Sequence, residues 1–178
     1  MTDNLSPLDH ATAIDFTTPD GAVRGVIEHA ELELVRHIAH RRQDEAVLAH
    51  RPDKHGFRGN GFRIHFLGAL GEAAVAHILG VPWSGSVNTF KAPDILDCVQ
   101  VRTRSKVAYD LLVRPNDKDN EFFVHVTANF DLDPPVLVVH GYIEGRDAKM
   151  PGWLESYGGR PPAFFVPTAS LMPLLPAA

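Results

Sequence analysis

The densest chemistry in the chain lies in one short stretch, Cys98-Val99-Gln100-Val101-Arg102-Thr103-Arg104. Its alternation predicts a strand. Side chains of an extended chain point to opposite faces in turn, so Val99 and Val101 share one face while Gln100, Arg102 and Arg104 share the other. A polar row behind an apolar row is expected to meet water or a ligand while its opposite packs. Upstream stands Asp94, behind Pro93, with Asp97 following. A hard divalent cation takes several oxygen donors held together, and Asp94 with the Gln100 carbonyl oxygen can supply part of such a shell. Taken by itself, Asp94 reads first as a turn or cap residue after proline.

Glu72 offers a further carboxylate. At helical spacing its neighbours are Gly68, Ala69, Val75, Ala76 and Leu79, a small apolar face suited to close packing on a sheet. An ionised carboxylate on such a face costs several kcal/mol unless it is paired or metal-bound. A cation is one compensation; a partner arginine such as Arg102 is the other.

Taken in order, these residues resemble the PD-(D/E)XK nuclease superfamily. The family's helix glutamate falls on Glu72 in Leu70-Gly71-Glu72-Ala73-Ala74, its aspartate on Asp94 in Pro93-Asp94, and its acid-x-lysine pair on Gln100-Val101-Arg102. The stretch Gly141-Tyr142-Ile143-Glu144-Gly145-Arg146-Asp147-Ala148-Lys149 looks like the later part of phage and bacterial nuclease-like proteins of this type. The resemblance implies a restriction-endonuclease-like core and a magnesium or manganese ion held by Glu72, Asp94 and the Gln100 oxygen. A metal-bound water would attack a phosphodiester while Arg102 steadies the developing charge. Arg104, Lys106 and Arg114 would then hold the backbone of a nucleic acid, DNA rather than RNA.

Two positions depart from the family pattern. Gln100 stands in place of the acid, and an amide still offers a carbonyl oxygen. Arg102 stands in place of lysine, and a guanidinium does not shed its proton, so it cannot serve as a base. The alternative is therefore a nuclease-like module that binds nucleic acid, or serves structurally, without cutting.

The positioning elements are legible in outline. Residues 1 to about 20 read as a loose lead-in. A helical pattern covers Ala22 to Leu48, with Val26, Ile27, Ala30, Leu34, Ile38 and Ala39 at spacings of three and four. It can dock on the domain, pair with a second copy to make a homodimer, or serve as an adaptor surface. A Gly- and Pro-rich loop spans residues 50 to 64, and a second helix runs from Phe66 to Leu79, stopping at Gly80 before Pro82. Strands are expected at Asp97–Ser105 and Tyr109–Arg114 with a short turn at Lys106, then at Glu121–Ala128, Val136–Ile143 and Ala163–Val166. Helices first and strands after predict an α+β fold, a central mixed sheet flanked by helices. The expected division is an N-terminal helical arm over residues 1–50 and a nuclease-like domain over 51–178.

Composition sets the outer limits. A net charge of -5 means that the whole molecule is no electrostatic trap for nucleic acid. Basic residues cluster locally at Arg36, Arg41 and Arg42 and at Arg102, Arg104, Lys106 and Arg114, each cluster reading equally as a solvated face. Cys98 is the single cysteine, which rules out an internal disulfide. There is no apolar run of the roughly 20 residues a membrane helix needs, and the first residues lack the pattern of a signal peptide. A cytoplasmic protein is expected. Among the 10 histidines, His37 and His40 fit a surface helix. His125 and His140 fall inside apolar strands, as hydrogen-bonded structural imidazoles. Tyr109-Asp110 and Asp147 can extend the acidic site or serve as turn residues.

Overall fold

The computed structural model describes residues 23–27, 29–49, 61–87, 92–129 and 135–175. The expected lead-in and most of the Gly- and Pro-rich loop lie outside these residues. In chain order the elements are β1 (Val23–Val26), α1 (His29–Leu48), α2 (Gly61–Ile78), β2 (Val99–Arg104), β3 (Leu111–Val113), β4 (Phe122–Asn129), β5 (Val136–Glu144), the single-turn α3 (Gly145–Ala148), β6 (Leu154–Glu155) and β7 (Ala163–Val166). No described helix is long and apolar enough to cross a membrane. The α+β class expected from the sequence is what forms.

Four strands make a mixed sheet in the order β1-β5-β4-β2, and three make a second sheet in the order β3-β7-β6. Only the β2–β4 pairing is parallel in the first sheet; β4–β5 and β5–β1 are antiparallel. The helices cover one face of the first sheet. Leu32, Val35 and Ala39 of α1 and Ala69, Leu70, Ala73 and Val75 of α2 share a core with Val99, Val101, Val124, Val126, Leu137 and Val139. The second sheet covers part of the other face, where Leu111, Val113, Phe164 and Val166 meet Phe123 and Ile143. Strand β4 is buried on both faces from Phe123 to Ala128, as the sandwiched strand of such an arrangement must be. The segment expected as a helical arm contributes directly to this core.

Three local expectations differ from what forms, the last being the start of α2. The helical pattern drawn from Ala22 begins instead at His29, and Val23–Val26 is a strand against β5. Ladder hydrogen bonds to an otherwise open β5 outweigh a weak local preference, and Gly25 is a poor helix former in any case. The strand after Lys106 is not a hairpin partner of β2. One side of β2 is taken by β4 and the other by the chain at Ile95, so β3 pairs with β7 in the second sheet.

Helix α2 begins at Gly61, earlier than its apolar pattern suggests, and ends as expected. Gly80 adopts φ 64°, with Gly80 N donating to His77 O and Val81 N to Ala76 O, the left-handed stop that a glycine allows. Its small residues serve a purpose at mid-length, where a β-carbon on Gly71 would overlap the Thr103 hydroxyl of β2. The helix is thereby seated directly on the strand that carries the candidate chemistry.

That seating is testable. Gly71→Ala is expected to cost about 1–3 kcal/mol in urea unfolding, the usual effect of overpacking. In a Thr103→Ala background much of that cost should disappear. Equal costs in both backgrounds would show that helix and strand do not meet there.

Candidate functional site: a buried carboxylate pair beside an edge strand

Glu72 lies on α2 and is 6% exposed. Its compensation comes from Arg42 of α1. Arg42 Nη1 and Nη2 donate to Glu72 Oε1 and Oε2 at 2.7 Å each, a two-pronged charge-assisted pair. Trp83 Nε1 donates to Oε2 at 3.3 Å. The same guanidinium donates from Nε and Nη2 to the Ser86 carbonyl at 2.9 and 2.7 Å. One arginine thus ties α1, α2 and the segment after α2 together. Burial on its own would lower the Arg42 pKa; the bonds and charge of Glu72 outweigh this and raise it. His65, also facing this cation, is held below the usual imidazole value by burial first and by Arg42 second.

Asp94 is placed by a tight fold-back. Asp94 N and Ile95 N both donate to Val99 O, at 2.9 and 3.1 Å, and Val99 N returns a bond of 3.1 Å to Ile95 O. Closing so short a return puts Leu96 at φ 52°, a left-handed conformation that a leucine adopts only under constraint. The carboxylate then lies along the outer side of β2, where Oδ2 accepts from Val101 N at 2.7 Å. Burial pushes the Asp94 carboxyl up to about 6, and the Glu72 charge adds to the rise. The Val101 bond, Arg102 and Arg42 pull the other way. Glu72 is therefore within electrostatic reach of Asp94.

Gln100 and Arg102 stand elsewhere. Val101 and Thr103 of β2 pack toward α2, so the pleat sends Gln100, Arg102 and Arg104 to the opposite face, in register with Phe123, His125 and Thr127 of β4. There Arg102 Nη1 donates to Gln100 Oε1 at 3.2 Å and Nη2 to Asp117 Oδ2 at 3.3 Å, with its guanidinium 5.2 Å from the Phe123 ring centroid. The sheet lies between the Gln100 amide and Glu72. Asp94, on the outer side of β2, is the one member of the set influenced from both directions.

As a cation shell the expected donors do not fit as they are arranged. Both Glu72 oxygens are engaged by Arg42, one Asp94 oxygen by Val101 N, and the Gln100 oxygen by Arg102. Among the described residues there is no group of three or more His, Cys, Asp or Glu side chains able to hold a metal ion.

The expected backbone-binding residues form a looser set. Arg104 and Lys106 both converge on Tyr109, with cation-to-centroid distances of 5.0 and 5.6 Å, and the ring remains 39% exposed. Burial lowers the Arg104 pKa, with Tyr109 and Asp110 opposing the shift. Arg114 is half-buried beside the turn where its own N donates to Asp117 Oδ2 at 2.8 Å. Asp147 is exposed in α3, and His37 and His40 are exposed on α1. His140 has the expected hydrogen bond, 2.8 Å between Nε2 and Thr127 Oγ1. His125 does not; neither of its ring nitrogens has a hydrogen-bond partner among the described residues.

Arg42 is the residue that sequence reasoning passed over. It continues the buried stripe Leu32, Val35, Ala39 at the next helical step, where a cation signals a buried partner. Comparison with known proteins returned no matching family model, no similar curated protein and no similar solved structure.

Two measurements probe the pair of carboxylates. Arg42→Met is expected to destabilise the fold by about 3–5 kcal/mol, because it strands a buried charge, and Arg42→Met with Glu72→Leu should recover most of the loss. A double variant no more stable than the single one would mean that Glu72 is compensated elsewhere. Asp94 titrates in the folded chain near 6 against 3.8 for the ordinary group, so its contribution to stability is fully present below about 3.8 and fades as pH rises through about 6. Asp94→Asn keeps an acceptor for Val101 N and carries no charge. Relative to the parent it should gain stability, by up to about 3 kcal/mol, between about pH 4 and about pH 7 in denaturant titrations. A parent-to-variant difference that stays flat over this range would show an unburdened carboxylate.

Proposed function

We propose that this chain is a nuclease-like module that binds nucleic acid without cutting it, on a core of the restriction-endonuclease-like type. The observation that carries this reading is the Arg42–Glu72 pair: the carboxylate on which a catalytic cation would depend spends both oxygens on a guanidinium. The residue at the lysine position points the same way. Arg102 puts a guanidinium where the family has an amine, a group suited to anchoring charge and not to activating water.

Binding would be read from the phosphate backbone. Arg104 and Lys106 around the half-exposed Tyr109 combine cationic and aromatic groups, the pairing that sequence-tolerant nucleic-acid contacts use. DNA is the proposed form, in a cytoplasmic setting that leaves Cys98 reduced. Self-association through α1, which keeps Leu34, Val47 and Leu48 exposed, belongs to the same reading.

One observation favours a second reading, a magnesium- or manganese-dependent nuclease: the Glu72 charge adds to the cost of burying an ionised Asp94, and a cation beside them would relieve it. That reading requires Arg42 to leave Glu72.

Fluorescence anisotropy with labelled oligonucleotides separates the two. Affinity is expected to fall about tenfold or more between roughly 50 and 200 mM salt, and Lys106→Glu should weaken it about tenfold further, while no product accumulates with Mg²⁺ or Mn²⁺. Cleavage that vanishes in Asp94→Ala would establish the nuclease instead. No binding to any nucleic-acid form at low salt would end the proposal.

A further inference from the structure

The face of the first sheet that turns away from α2 holds polar groups with nothing to bond. Arg102 and His125 sit side by side in the parallel register of β2 and β4. Among the described residues Arg102 Nε is buried without an acceptor and both nitrogens of the His125 ring are buried without a partner, His125 being 0% exposed. Buried polar atoms are nearly always satisfied, so two orphaned neighbours on adjacent strands are an anomaly that calls for a missing group. The rest of the Arg102 guanidinium is already fixed by Gln100, Asp117 and the Phe123 ring. Its Nε is thus a preset donor.

The surroundings specify what is missing. Arg104 lies on the same face, half-buried, with Arg160 and Asp110 near enough to act on it electrostatically. Arg102, Arg104, Lys106 and Arg160 oppose Asp110 and Asp117, a local excess of positive charge on a chain whose net charge is -5. His140 stacks on His125 at 4.7 Å between ring centroids. The β4–β5 register shifts next to His125, opposite Gly141 at φ 138°, and such bulges redirect side chains beside functional sites. Burial, then His140, then Arg104 hold the His125 pKa down at about 3. The ring is neutral near pH 7 and offers one N–H donor.

We propose that this face binds a phosphate-type oxyanion, with Arg102 Nε and the His125 N–H donating to its oxygens and Arg104 supplying a second positive charge. The full burial of His125 excludes an internal phosphodiester flanked by sugars on both sides, so the proposed ligand is a compact one, a free phosphate or the terminal phosphate of a nucleic-acid strand. The strand-end source rests on the nucleic-acid reading above; free phosphate does not.

Calorimetric titration with inorganic phosphate near neutral pH, followed by 5′-phosphorylated and 5′-hydroxyl forms of one oligonucleotide, tests the site. Saturable phosphate binding is expected, together with a perturbed His125 ring ¹⁵N signal. Arg104→Gln, which removes a neighbouring charge, and His125→Gln, which replaces the ring donor, should each weaken binding about tenfold or more. If His125→Gln does not fold, Arg104→Gln, at a half-buried position, decides alone. Preference for the phosphorylated oligonucleotide identifies the strand end as the source; phosphate binding without that preference identifies the free anion and leaves the site standing. Absence of saturable phosphate binding, or a folded Arg104→Gln variant that binds like the parent, overturns the proposal.

Discussion

A carboxylate inside an apolar helix face is the constraint around which this molecule is arranged. Glu72 cannot be charged where it lies unless something answers it, and the answer arrives from another helix and not from the strand beneath. Because Arg42 also reaches the Ser86 carbonyl, the angle of α1 to α2 and the path of the chain leaving α2 are settled by one side chain. Trp83 closes the remaining side. The pair does not make the fold stable in the way a hydrocarbon core does; it makes one arrangement of these helices much cheaper than others.

Much of this was open to inspection in the sequence. The small apolar neighbours of Glu72 announced a buried carboxylate, the alternation from Val99 to Arg104 announced a two-faced strand, and Gly80 announced the end of α2. What could not be seen follows from the limits of period-based reading. Alternation says which side chains share a face but not which layer covers that face, so the amide and guanidinium of β2 could not be assigned a side until Gly71 was found against Thr103. Local pattern also says nothing of pairing over long separations, which is why β1 and β3 took unexpected partners. Arg42 was legible in principle as a cation in a hydrophobic stripe, and was obscured by its neighbour Arg41 on the solvent side.

The sheet divides two kinds of polarity. Toward the helices the charges are matched in pairs and their hydrogen bonds are short, a pattern of internal cohesion. On the far side Arg102 has donors to spare, and the His125 ring is enclosed without any bond. The helix side is not wholly satisfied either, since the Thr103 hydroxyl against Gly71 is buried without a partner among the described residues, but the orphaned nitrogens all lie on the far side, and unspent N–H donors are what an anionic ligand can use.

The fold-back at Asp94 and Ile95 has a consequence for solution behaviour. A bordering strand with free amides is a template on which a second chain can add, the first step toward fibrous assembly. Here the return through Ile95 occupies Val99, and the Asp94 carboxylate caps the Val101 amide, so the first half of β2 has little left to offer a neighbour. The left-handed Leu96 thus helps to keep the molecule from polymerising through its own sheet.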